Sequence, residues 1–235
     1  YTGEGMLCSS EELGFEEKSS GIIELPEDAP LGKKYSDWLG LSDPIFEVSL
    51  TPNRGDCASV VGIARELVVI GLGKLINNKK ASNIKGSYKS PIKWDINLNF
   101  KNKNACVCVK GRHFKGLKNI ESPEWLKKRL ISIGLKPISS LVDLTNFITF
   151  DLGRPLHVFD AKKLQGNLCI RMANEREKLL ALDGKLYDLN KDILIISDKI
   201  KPVSIAGVMG GEDTSCDLST TEMFLESAYF SPKNV

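Results

Sequence analysis

Ile193-Leu-Ile-Ile-Ser197 and Val203-Ser-Ile-Ala-Gly-Val208 are two short apolar runs, separated by five residues that include Asp198, two lysines and Pro202. Runs of this length, rich in β-branched residues and bounded by turn formers, read as buried strands. The second leads straight into Met209-Gly210-Gly211. A phosphate loop there would need G-x-x-x-x-G-K-[ST] or G-x-G-x-x-G; neither is present, and Glu212 and Asp213 follow where a polyanion would be repelled. Two other readings stay open. The glycines serve a turn that needs positive φ or a close backbone approach, or they form a wall where a ligand lies against bare backbone.

Working outward from these strands, Ala105–Lys110 alternates as a third strand, placing Cys106 and Cys108 on one face. Leu141–Phe150 is apolar and β-branched and reads as a further strand, into which Thr145 and Asn146 bring a hydroxyl and an amide. Residues 45–51 alternate as a half-buried strand would, and strand-sized pieces stand at residues 5–8 and 21–26. Two helices interrupt the pattern. Val60, Val61, Ala64, Leu67 and Val68 recur at helical spacing, with Asp56 or Ser59 to cap the start and Gly71-Leu72-Gly73 to end it. Ser122 as N-cap and Pro123 at the first helical position predict another, running through Trp125, Leu126 and Leu130 to Gly134. The fold class is mixed α+β in two compact regions, and the Lys-, Asn- and Ser-rich stretch 77–94 is the expected linker or long loop.

Composition narrows the possibilities. The chain has 235 residues, 42% hydrophobic and 26% charged, which excludes global disorder and fibrous repeats. With 32 Lys and Arg against 30 Asp and Glu, the net charge of +2 excludes a binder working by bulk charge, though not a local basic face. No apolar run approaches the length of a membrane span and no signal peptide is visible. None of the six cysteines is spaced as C-x-x-C and only His113 and His157 could assist, so no metal site is expected. Small buried thiols in a reducing cytoplasm fit better. The chain begins at Tyr1 without an initiator Met, so it is expected to be an internal piece of a longer protein.

Candidate chemistry is sparse. His157 lies in Gly153-Arg-Pro-Leu-His-Val-Phe-Asp160, beside apolar residues that suit either a structural or a functional imidazole. There is no G-x-S-x-G elbow, and no cysteine has a histidine close in sequence, so nucleophilic catalysis lacks support.

Taken together, the segments resemble one family, the bacterial-type β subunit of phenylalanyl-tRNA synthetase. The matching pieces are Gly5–Ser9 with Glu12–Gly14, Gly21–Pro30, Ser49–Arg54 with Asp56-Cys57, and Gly62–Leu67. Further on come Val142–Asn146, Gly153–Asp160, Leu182–Gly184, Ala206–Glu212 and Leu225–Ala228, all in order. The resemblance implies a multi-piece fragment. Residues 1–30 would end an OB-type tRNA-binding domain and 31–76 would be a small α+β domain of B1 type. Residues 95–235 would form a β-rich B3/B4 editing domain with flanking helices, incomplete at its end.

Such an editing domain hydrolyses mischarged tyrosyl-tRNA(Phe), because a phenylalanine pocket excludes an isostere bearing one extra hydroxyl only about 10²-fold. The resemblance implies that Glu226 recognises the tyrosine hydroxyl and that Ala206 and Gly207 form the wall for the aromatic ring. It places His157, Thr145 and Asn146 at the ester and the substrate's polar groups. His157 would be either a base or, as favoured here, a positioning group, since the motif supplies no orienting carboxylate. Lys136 stands where the family commonly has Arg; it keeps the charge for a tRNA contact and loses the planar fork. Editing would need no cofactor. ATP and Mg²⁺ would serve aminoacylation in a separate α subunit, two α and two β subunits making the enzyme, with tRNA(Phe) as the other partner and no membrane. Two further readings remain: a structural, tRNA-contacting module inactive when isolated, and a free-standing B3/B4-like protein.

Overall fold

A computed structural model describes residues 5–15, 21–41, 44–76 and 84–235. The chain divides into two compact units, one ending at Ile45 and the other running from Phe46 to Val235. In the first, a turn at residues 9–15 is closed by reciprocal bonds, Ser9 N–H to Glu12 Oε2 at 2.8 Å and Glu12 N–H to Ser9 Oγ at 3.2 Å. Among the described residues of this unit a short helix, α1 (Tyr35–Leu39), stops at Gly40, whose φ of 69° closes the turn. Phe15 meets Tyr35 edge to face at 6.0 Å, and Tyr35 lies tilted against Trp38 at 5.8 Å.

The second unit contains α2 (Val60–Val69), β1 (Trp94–Asn97), β2 (Cys106–Lys115), α3 (Glu124–Ser132), α4 (Ser140–Leu152), β3 (His157–Asp160) and β4 (Leu168–Met172). There follow β5 (Lys178–Leu180), β6 (Leu186–Asp188), β7 (Leu194–Ser197), β8 (Pro202–Ile205), β9 (Met209–Gly210) and β10 (Glu222–Phe230). The fold is mixed α+β. Five strands pair in the order β1-β4-β7-β8-β9, three as β2-β10-β3, and β5 with β6. Only β1 and β4 run parallel. The five- and three-stranded sheets bury one shared core, with Leu168, Ile170, Leu194, Ile196 and Val203 from one side and Phe159, Phe224 and Phe230 from the other. Each fully buried Phe or Ile contributes about 1.5–3 kcal/mol.

The unbroken apolar run 193–197 is explained by its place. Leu194 and Ile196 face this core while Ile195 packs behind it with Leu179 and Leu189, so β7 is covered on both faces. The far face of the three-stranded sheet receives α4, through Leu141 against Val158 and Met223. Trp125 of α3 meets Phe147 of α4 edge to face at 5.6 Å. No helix among the described residues is long and apolar enough to cross a membrane.

Several expectations are corrected. Leu141–Phe150 is not a strand but most of α4, because Leu141 and Thr145, one turn apart, bury a common stripe. Its threonines fit the helix by bonding back to it, Thr145 to Val142 O and Thr149 to Thr145 O. Residues 45–51 form no strand: Ile45, Phe46, Val48 and Leu50 are all exposed and no ladder pairs with them. Residues 5–8 and 21–26 likewise share only the bond from Ile23 N–H to Cys8 O. Ser59 caps α2 as expected, accepting from Gly62 N–H at 2.9 Å. Ser122 does not cap α3. Its hydroxyl donates to buried Asp143 Oδ2 at 2.5 Å, and Pro123 takes the cap position. The two cysteines of β2 do not share a face, because a register shift opposite Tyr229 and Phe230 leaves Cys106 buried and Cys108 exposed. Part of the expected linker, residues 77–83, lies outside the described residues, and β1 already begins at Trp94.

Candidate functional site

On β10, Phe224, Glu226, Ala228 and Phe230 alternate toward the shared core, so the strand pattern drives one carboxylate into an apolar layer. β10 is the middle strand of its sheet. Glu226 stands directly opposite Gly111 of β2 on one side and His157 of β3 on the other. Opposed positions of an antiparallel pair project from the same face, about 4.5–5.5 Å apart. Gly111, Glu226 and His157 therefore make a row across the inner face.

Glycines let aromatic rings close on that row. A Cβ at Gly210 of β9 would lie 2.3 Å from His157 Cε1 and 2.7 Å from its Nε2, so bare backbone of the second sheet rests against the imidazole. A Cβ at Gly111 would lie 2.2 Å from Phe224 Cζ and 2.5 Å from Trp94 Nε1. The glycine run thus serves close approach at Gly210 and a positive-φ turn at Gly207, whose φ is 74°.

The row is electrostatically unusual. Burial pushes the Glu226 carboxyl from its ordinary 4.5 up to about 7, with the Arg154 guanidinium opposing the rise. Burial alone lowers His157 from 6.5 to about 4, so the imidazole is neutral near pH 7. Part of His157 reaches solvent, while its Nε2 is buried without a hydrogen-bond partner. Arg154 is held on β10 itself, donating to Ser227 Oγ at 3.0 Å and Ala228 O at 3.1 Å.

The other expected residues lie further off. Thr145 is buried on α4, whose Leu141 packs on the opposite face of the three-stranded sheet, and its hydroxyl donates to Val142 O at 2.7 Å. Asn146, the next residue, is half-buried. Ala206 is buried in the shared core, and Gly207 lies beside Phe230, which shares the Glu226 face of β10. Lys136 is exposed in the α3–α4 connection. Asp56, Cys57 and Glu66 gather ligand atoms within 4.8 Å of one another, and the Arg54 guanidinium bonds all three. Sequence reasoning missed Trp94 and gave Arg154 no role. The alternation Ile92, Trp94, Ile96, Leu98 was the signal that could have found the first.

The family model of the B3/4 domain matches residues 105–235. The chain belongs to that family. The row Gly111–Glu226–His157 lies wholly within the B3/4 domain. Beyond it, the chain is 48% identical over 231 residues to the phenylalanine–tRNA ligase beta subunits of Nitrobacter winogradskyi and Rhodopseudomonas palustris, and 46% identical to that of Brucella melitensis. Each match covers 98% of this chain and 28% of the relative, so the chain spans little more than a quarter of their length. Among solved structures, an N-terminal fragment of the phenylalanyl-tRNA synthetase β-subunit from Pyrococcus horikoshii is 16% identical with a TM-score of 0.44, covering 78% of this chain and 55% of that one.

Proposed function

We propose that the chain is part of the β subunit of phenylalanyl-tRNA synthetase and that its B3/4 domain hydrolyses tyrosyl-tRNA(Phe). The observation that carries the reading is Glu226, a carboxyl only 7% exposed at the centre of a sheet and in register with His157. A buried carboxyl is costly unless a hydrogen-bond partner completes it. A tyrosine hydroxyl donating to its ionised form makes a charge-assisted bond, and phenylalanine leaves it unpaired, a difference of about 1–3 kcal/mol.

Hydrolysis adds water to the ester carbonyl and releases tyrosine and the free 3′ end of the tRNA. A neutral imidazole whose conjugate acid has a pKa of about 4 is a weak base. His157 therefore positions the water or the terminal ribose through Nε2 instead of removing a proton. Ala206 and Gly207 form the ring's wall and Lys136 meets the tRNA as a point charge, while Thr145 and Asn146 stand on the helix behind the sheet, away from the Glu226 row.

On the same reading, residues 1–30 end an OB-type domain, 31–76 form a B1-type domain, 77–94 join it to the rest and 95–235 belong to the editing domain. ATP and Mg²⁺ serve aminoacylation by the α subunit, in a cytoplasmic assembly of two α and two β subunits with tRNA(Phe), and this region needs neither. The test is deacylation of tyrosyl-tRNA(Phe) by the complete enzyme carrying Glu226→Ala or His157→Ala. Both variants are expected to slow it by tenfold or more, and unchanged hydrolysis by both would sink the assignment.

A further inference from the structure

Glu226 has a neighbour on its other flank. Trp94 opens β1, and its Nε1 lies 2.5 Å from the place where a Cβ of residue 111 would stand. Because Gly111 is the cross-strand partner of Glu226, the indole nitrogen and the edge of the Phe224 ring together fill the side-chain position across from the carboxylate. The indole mirrors the imidazole on the opposite flank. The ring is held there by Phe224, with centroids 5.7 Å apart. Nε1 is buried and donates to nothing among the described residues, and His157 Nε2 shares that state. Buried polar groups are almost always paired in folded proteins, so two unpartnered nitrogens on either side of a buried carboxyl point to a ligand.

The chemistry of the two groups selects that ligand. An indole N–H only donates, and the Glu226 carboxyl, ionised in about half the molecules near pH 7, always offers an acceptor oxygen. An ammonium group would pair with Glu226 and offer nothing to Trp94. A carboxylate would accept from Trp94 and be repelled by Glu226. A hydroxyl satisfies both, since it donates one proton and accepts another.

We propose that Trp94 is a substrate-binding residue whose indole N–H donates to the same tyrosine hydroxyl that donates to Glu226. The proposal rests on the editing reading and deepens it: the tyrosine hydroxyl is read from two sides, and phenylalanine leaves both groups unpaired. A ribose hydroxyl has the same donor–acceptor character, but tyrosyl and phenylalanyl esters share the ribose, so comparing the two esters separates the sources.

The experiment uses the complete enzyme with Trp94→Phe and, separately, with 3-benzothienylalanine at position 94, which keeps the ring shape and replaces N–H by sulfur. Hydrolysis of tyrosyl-tRNA(Phe) and of phenylalanyl-tRNA(Phe) is measured for each. The expected result is a loss of about tenfold in kcat/KM for the tyrosyl ester, equivalent to about 1.4 kcal/mol, with the phenylalanyl ester unchanged. If Trp94→Phe fails to fold, the sulfur variant decides. Equal loss on both esters, or no loss on either, overturns the proposal. Glu226→Ala and His157→Ala run alongside. If they abolish tyrosyl-tRNA hydrolysis while the sulfur variant keeps full preference for the tyrosyl ester, only the Trp94 donor falls. If they change nothing, the editing reading falls and takes the donor with it.

Discussion

Replacing Glu226 with Gln is expected to change how folding stability responds to pH, and the structure supplies both sign and size. In the unfolded chain the carboxyl loses its proton near its ordinary 4.5; in the fold, burial holds the proton to about pH 7. Between those values the folded state binds more protons than the unfolded one, so stability falls as pH rises. Each pKa unit is worth about 1.36 kcal/mol, so the interval from 4.5 to about 7 amounts to about 3 kcal/mol. Glu226→Gln does not titrate. The variant's stability relative to the native protein is therefore expected to climb by about 3 kcal/mol between pH 4.5 and 7 and then level off. His157 has the opposite sign. Its pKa is depressed from 6.5 to about 4, so its contribution is present above 6.5 and lost as pH falls toward 4. In the native protein the two slopes oppose one another across the shared window, and each single variant exposes the other. Urea unfolding of the native protein, Glu226→Gln and His157→Gln in half-unit steps from pH 4.5 to 8 measures all three. A native-minus-variant difference for Glu226→Gln that stays constant with pH would refute the argument, because the carboxyl would then titrate as it does in water.

Three further outcomes follow from packing. Gly210→Ala places a methyl within 2.3 Å of the His157 ring and must displace it, so hydrolysis of tyrosyl-tRNA(Phe) is expected to drop at least tenfold in a still-folded enzyme, checked by deacylation alongside circular dichroism. Phe224→Ala empties the contact between Trp94, Gly111 and the shared core and is expected to cost about 3–5 kcal/mol in chemical denaturation. Ser122→Ala leaves buried Asp143 with its bond from Ile138 N–H but without its hydroxyl donor, at a cost of about 1–3 kcal/mol, read as a lowered denaturation midpoint at unchanged slope.

The sequence was most legible where burial was complete. The run 193–197 is apolar throughout because β7 is covered on both faces, and α2 announced itself through its period and the Ser59 cap. It misled where only one side of an element was decisive. Leu141–Phe150 is apolar enough to read as a strand, and nothing local reveals that Ser122, 21 residues before Asp143, helps fix the start of a helix. The alternation at residues 45–51 is real, but alternation makes a strand only where another strand supplies hydrogen bonds. At the site, the resemblance pointed to His157 and Glu226 separately; their adjacency comes from the β10–β3 register, which joins residues 69 positions apart. Trp94 was overlooked because it stood at the end of a stretch whose lysines and asparagines suggest a linker.

The register of β10 also bears on how the gene can change in length. Side chains on a strand alternate between faces, so inserting or deleting one residue between Met223 and Glu226 would turn the carboxyl toward α4 and swing Leu225 or Ser227 into its place. Loops that join the sheets are free to grow or shrink. The nine residues of β10 are not, because both flanking strands count off the same positions. Insertions and deletions among relatives that keep the Gly111–Glu226–His157 row are thus expected to cluster in the connections and to spare residues 222–230.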